Sequence, residues 1–574
     1  MFSRAWVTLS SLIFPWSYFP SCQSQTRPSD PDRGHSPPRK HRKHAATPDP
    51  GPTPRLQPIE AVNLDVFRLI VDELHGDGGS LHNFSLASHR LRNLALPLLF
   101  SHCKWDIRHL PHERRPSGVP PDSIRHLARH LKHIGPFHVG KDADSFQDIL
   151  GRFSGVSSVT FKWTLGALPW EVVKFCLATP RITSITLDAG SVDLMEVPPY
   201  PLDDPVSTSL KTFVFTTTMW REYENEMAPV RYRGRVRDMK KVFDLERECL
   251  RAVMLCINAT ATSLTLPVES TPILDMAKVS WPCLRELHLH GRFRDMAQAL
   301  SLQELLPTLT SLETLSILAA RLKELKRPAV LSKASPLSPS HPPVLPALRS
   351  LTLAYPDPED GIFSLDVTGL THLSLRDWPR FYNLFAYSGR LRYRWCTAIH
   401  TPMQCLSILK RMEMPNLTSL ELVYMTPTAG ADRDLLFHII RSYPRLTRLE
   451  IHRYRLKRTE RVPYLLIART LSAIKSLRVV RLNLDFEDDH QAYCGDVQHR
   501  QVWYDTLTRR KGPEIVNIMQ TCPQLEHVAL LYHGHPSSTW AEFRPARYPG
   551  PKVVVEYDPQ HIDSEMMRRT WRTT

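Results

Sequence analysis

The chain has 574 residues, a formal net charge of +15, 42% hydrophobic and 23% charged residues, and 49 prolines. That is enough apolar material for several domains or one long repeat array. The first ~58 residues hold about a third of the excess charge, so the remainder is only mildly basic and does not resemble a dedicated nucleic-acid binder.

The N-terminal stretch MFSRAWVTLSSLIFPWSYFPSC has a basic residue, an apolar run and then small residues, in the manner of a signal peptide. Pro15 and Pro20 interrupt it, and no A-x-A site follows. It is too short and broken to span a bilayer comfortably. Residues 1–58 read as a tail whose Pro-, Arg- and His-rich part cannot repay the entropy of ordering. Its PPRKHRKH run reads as a charged linker, with nuclear import as the alternative.

Residues 59–110 read as a helical module. Val62, Val66, Ile70 and Leu74 recur at steps of four, with Leu69 alongside, as one stripe of an amphipathic helix. Gly76, Gly78 and Gly79 break it, Ser80 is placed to cap a second helix through Ala95, and Pro97 follows. A module of this size is small to stand alone.

From 111 to 545 a different pattern takes over, apolar-x-x-apolar-x-apolar. It runs from Val156/Val159/Phe161 through units such as Leu284/Leu287/Leu289 and Leu417/Leu420/Leu422 to Leu525/Val528/Leu530, about a dozen in all. Many starts are roughly 22 to 31 residues apart, with a few intervals near 50 that mean insertions or missed units. Helix-like segments such as DRDLLFHIIRSYP lie between. The expected fold class is therefore α/β: a small helical module followed by a degenerate leucine-rich-repeat solenoid of strand-loop-helix units, whose stacking makes a continuous core. Residues 327–346 form a Ser/Pro-rich insertion read as disordered, with Ser335 and Ser338 each before proline, and 546–574 read as a tail.

No catalytic constellation emerges. Gly135 to Asp142, GPFHVGKD, nearly matches a phosphate-cradling loop, but aspartate replaces the Mg²⁺-binding hydroxyl and no βαβ frame is evident around it. H-E-x-x-H and G-x-S-x-G are absent. Ten cysteines without C-x-x-C pairs fit a reducing compartment and no zinc site. The acidic run DFEDDHQ and the basic runs 231–241 and 453–461 read as solvated loops. Of the N-x-[ST] sites at Asn83, Asn258 and Asn416, the first lies in a predicted helix and the last abuts a strand, which favours cytoplasm or nucleus. No cofactor, metal, nucleic acid or membrane is expected.

The helical module resembles an F-box. Val62-Asn63-Leu64-Asp65-Val66, with Ile70 beyond, follows the opening L-P-x-E-V-x-x-x-I; Ala87 to Ala95 follows V-S-R-x-W/F-R-x-L-A; Leu96 to Phe100 gives the LPLLF ending common in fungal members. Asn63 stands for the proline and Leu91 for the aromatic. With repeats behind it, the chain is similar to F-box/leucine-rich-repeat proteins. That resemblance implies a non-catalytic substrate receptor of an SCF-type ubiquitin ligase, docking a Skp-type adaptor and, through it, a cullin–RING ligase. It also implies an adaptor surface of Val62, Leu64, Val66, Ile70, Leu91, Pro97 and Leu98, of which Ile70 and Leu91 serve equally well as core. The alternative is a repeat scaffold with a vestigial F-box. Candidate substrate contacts, by strand position, are Arg285, His288, His372, Arg376, Glu421 and Arg448.

Overall fold

In an apolar-x-x-apolar-x-apolar unit the first residue seats a turn and the last two share one face of a strand. In the computed structural model all twelve such units form strands, and every residue of every triplet is at most 3% exposed. The structure describes residues 65–66, 69–70, 78–106, 121–135, 137, 142–162, 168–190, 208–217, 238–320, 327, 329–331, 344–384, 399–489, 496–533, 538–547 and 553–557.

The strands in chain order are β1 (His102–Asp106), β2 (His130–Ile134), β3 (Ser158–Lys162), β4 (Ser184–Gly190), β5 (Thr212–Thr217), β6 (Ser263–Pro267), β7 (Glu286–Arg292) and β8 (Thr314–Ala320). They continue as β9 (Ser350–Ala354), β10 (His372–Arg376), β11 (Ser419–Thr426), β12 (Arg448–Arg455), β13 (Val479–Asn483), β14 (His527–His533), β15 (Ser538–Phe543) and β16 (Val553–Tyr557). They form one sixteen-stranded sheet in sequential order. Strands β1 to β14 run parallel, and β15 and β16 close the end as an antiparallel hairpin. The long intervals before β6, β11 and β14 are therefore insertions, because the strands on either side pair directly.

Helices α1 (Gly78–Ala87) and α2 (His89–Leu99) precede the sheet. Then come α3 (Asp142–Arg152), α4 (Trp170–Ala178), α5 (Met239–Ile257), α6 (Met296–Leu305), α7 (Pro402–Arg411), α8 (Arg433–Ser442), α9 (Tyr464–Leu471), α10 (Val497–Thr506) and α11 (Gly512–Met519). Leu150, Val173, Val253, Leu302, Leu409, Ile439, Leu471 and Met519 from these helices share one apolar core with the strand triplets. This is a solenoid-like α/β arrangement, in which each unit buries its apolar face against its neighbours. A threonine recurs just before the strands because its hydroxyl extends the ladder: Thr262, Thr371, Thr418 and Thr447 donate to carbonyls of the preceding unit at 3.0–3.1 Å. Burial pushes the thiols of Cys176 and Cys405 up to about 12, so they stay protonated as small core residues.

Several expectations need correction. Two strands precede the first recognised unit, and their residues explain the omission: β2 carries His133 where an apolar residue was sought, and β1 carries Cys103 and Trp105. The second helix of the small module is two. Ser88 breaks it, capping α2 by accepting from the Leu91 amide at 3.2 Å, while Ser80 lies inside α1. Pro97 sits within α2 rather than after it. Gly135 and Asp142 do lie in a β2–α3–β3 unit, although most of the loop falls outside the described residues. The basic run from Arg453 is no solvated loop at its start, since Arg453, Tyr454 and Arg455 are buried on β12. The acidic run is likewise engaged: Asp485 accepts from the Arg455 amide at 3.0 Å, and Glu487 lies 3.7 Å from Lys511 Nζ. The tail drawn from 546 contains β16.

Candidate functional site

Alternation makes the residues between the core leucines face away from the helices, and register lines them into rows across the sheet. From β3 to β9 two rows are dominated by hydroxyls. Ser158, Ser184, Thr212, Ser263, Thr314 and Ser350 form one, and Thr160, Thr186, Thr265, Ser316 and Thr352 populate the other. All but Ser316 are half-buried.

At β10 the rows change character. His372, Ser419 and Arg448 continue the first, and Ser374, Glu421, Glu450 and Arg481 continue the second. The turn after β10, Asp377 to Arg380, folds back over this part of the face and leads into the short helix Phe381–Leu384. Asp377 accepts from the Phe381 amide at 2.6 Å and from the Tyr454 hydroxyl at 3.4 Å. Tyr382, Val423, Tyr454, Ala529, Leu531 and Trp540 then make a second small core on the outward side of the sheet.

Arg380 is the hub. It is 1% exposed and donates to Asp377 Oδ1 at 2.9 Å, Glu421 Oε1 at 2.6 Å and Glu450 Oε1 at 3.3 Å. Ser374 donates to the other Glu421 oxygen at 2.6 Å, and His452 Nε2 lies 2.9 Å from Glu450 Oε1. Burial alone would raise the Glu421 carboxyl, but Arg376 and Arg380 hold it well below the usual carboxylate range. Burial lowers the Arg380 guanidinium, yet Glu421, Asp377 and Glu450 overcome that and raise it well above its ordinary value. Glu421 and Arg380 thus stand as a charged pair, whose mutual attraction offsets their desolvation.

Beside this network lies an open cavity of about 290 Å³, lined by His372, Ser419, Glu421, Arg448, Glu450 and Arg481. Three residues singled out from sequence, His372, Glu421 and Arg448, meet there. Arg376 stands beside it, its Nε 3.8 Å from Glu421. Arg285 and His288 do not join them: they belong to β7 and the turn before it, three strands or ~14 Å away. Arg285 is instead paired with Glu313 at 2.9 Å. Sequence reasoning missed Asp377, Arg380, Glu450, His452, Tyr454 and Arg481. Glu450 and Arg481 occupy the same alternating positions as the named residues and were within reach of the same rule.

The adaptor-surface residues are more scattered in environment. Val62 and Leu64 lie outside the described residues. Val66 and Ile70, with neighbouring Leu69, are helical and exposed. Leu91 is fully buried, Pro97 is exposed, and Leu98 is half-buried beside Leu81, Phe84, Ala95 and Leu99.

Among the described residues, no helix is long and apolar enough to cross a membrane. No family model matches this chain, and no curated protein matches it.

Proposed function

We propose that this chain is a substrate receptor of a cullin–RING ubiquitin ligase, with an F-box-like module that docks a Skp-type adaptor and a leucine-rich-repeat solenoid that holds a protein target. The observation that carries the reading is the placement of Val66, Leu69 and Ile70, each helical and 45%, 66% and 36% exposed, ahead of a repeat solenoid. Exposed apolar side chains within five residues of one another suit a partner surface. Such a receptor performs no covalent step; it raises the local concentration of a target lysine near the charged ubiquitin carrier.

Co-expression of the full chain with a Skp-type adaptor tests this. The adaptor is expected to co-purify, and Val66→Asp or Ile70→Asp to reduce the yield at least about tenfold, since a charge is driven into an apolar contact. Leu91→Asp is a poor probe, because Leu91 is fully buried and the variant breaks the helix pair. Failure of the wild-type chain to retain the adaptor overturns the reading. The alternative, a repeat scaffold with a vestigial module, draws on that same burial of Leu91, which leaves this position no surface to offer. It predicts target capture with no adaptor bound.

A further inference from the structure

The cavity over β10 to β13 has walls of both signs, and the question is which sign remains available to a ligand. The carboxylates are already engaged. Glu421 takes Arg380 on one oxygen and Ser374 on the other. Glu450 takes His452 and Arg380 on Oε1, with Arg481 Nη1 4.0 Å from Oε2. Glu421, Glu450 and His452 come close enough to hold a metal ion, but the Arg380 guanidinium sits between the two carboxylates, where a cation would go. A lysine from a partner meets the same obstacle.

The cationic side reaches the mouth of the cavity. Arg376, Arg380, Arg448 and Arg481 face the three carboxylates Asp377, Glu421 and Glu450. Arg448 is exposed at the mouth and makes no ion pair among the described residues. Arg481 is held over the Trp540 ring at 5.5 Å, which fixes its plane beside the cavity. An arginine pair is well matched to a carboxylate, through paired N–H donors. The charge of the ligand is bounded by the same geometry: Glu421 and Glu450 line the wall and weaken its positive potential, while the cost of stripping water rises with the square of the charge, so a monoanion fits better than a dianion.

We propose that this cavity binds a glutamate or aspartate side chain of an extended protein segment, with Arg448 and Arg481 as the recognising groups. The identification of that segment with a ligase target rests on the reading above; the carboxylate chemistry does not. The ligand's backbone would run across the open hydroxyl rows of the neighbouring strands, which offer hydrogen bonds and little steric hindrance.

Fluorescence anisotropy on the full chain tests it, with labelled octapeptides alternating serine with glutamate, lysine or phosphoserine. The glutamate peptide is expected to bind, to weaken with added salt, and to lose at least about tenfold in affinity on Arg448→Glu and less on Arg448→Ala. An unchanged thermal midpoint in both variants shows the fold is kept. Undetectable binding of the glutamate peptide, equal binding by Arg448→Glu, or tighter binding of the lysine or phosphoserine peptide overturns the proposal. Adaptor retention is measured on the same samples. Peptide binding without the adaptor sinks only the receptor reading; adaptor retention without peptide binding sinks only this one.

Discussion

The outward face of the sheet is built twice, from the same strand geometry, with opposite results. Over β3 to β9 its two main rows are dominated by serine and threonine, mostly half-buried, with charged residues such as Lys162, Asp188 and Glu286 between and beside them. Over β10 to β14 the same face holds Ser374, Arg376, Glu421, Val423, His452, Tyr454, Asn483 and Leu531, all buried, while Arg448 at its margin stays exposed. The difference is one turn. Asp377 to Arg380 folds over the face, and aromatic residues from the turn, β12 and β15 seal it. Small hydroxyls satisfy themselves with water and need no cover. Long charged and aromatic side chains on adjacent strands gain from being covered, provided each charge finds a partner. The solenoid therefore has a covered end and a plain one, and the cavity lined by His372, Glu421 and Arg448 lies on the covered end, over β10 to β13.

The largest test of that contrast is Arg380→Ala. It leaves Asp377, Glu421 and Glu450 buried without their shared cation, which costs roughly 3–5 kcal/mol. Urea unfolding should show a large drop in midpoint. A loss of under about 1 kcal/mol would mean the covering turn is dispensable and the two halves differ only in decoration.

A second effect is confined to the covered end. His400 is 2% exposed, its Nε2 donates to the Pro356 carbonyl at 2.8 Å, and its pKa is lowered to about 3 by burial, with Arg327 nearby. The folded pKa lies below the unfolded value, so the unfolded chain takes up a proton first as pH falls. Stability from neutral His400 is complete above about pH 6.5 and is lost progressively toward pH 3. At pH 5 the loss from this group is about 2 kcal/mol. Unfolding curves at pH 7.5 and 5 should separate by that amount in the wild type and by clearly less in His400→Gln. Equal separation in both would place the acid sensitivity elsewhere.

The smallest effect belongs to the open end. Lys162 and Asp188 form an ion pair of 2.9 Å on β3 and β4 with both side chains partly exposed. Lys162→Ala should cost less than about 1 kcal/mol, and less again at high salt. A cost comparable to that of Arg380→Ala would erase the distinction between the two faces.

Much of this architecture is visible in one dimension. Leu348/Leu351/Leu353 or Leu446/Leu449/Ile451 names a strand, its inward face and its neighbour, because burial in a repeat is local and periodic. The pattern lapses where another residue type fills a core position, as His133 does against Phe137 and Trp105. It also lapses in β15, whose six residues are all buried and so show no alternation. The site was legible only as positions. His372 and Glu421 stand 49 residues apart in sequence, and no spacing rule says that their strands are adjacent.

The sequence by itself thus determined the α/β class, the repeat, the core leucines and which residues face outward, since each follows from a period of two inside a unit of fixed plan. Only the tertiary structure decided which outward residues are bare and which are enclosed. That depends on Arg380 reaching two carboxylates 41 and 70 residues further along, a long-range electrostatic match that local periodicity does not encode.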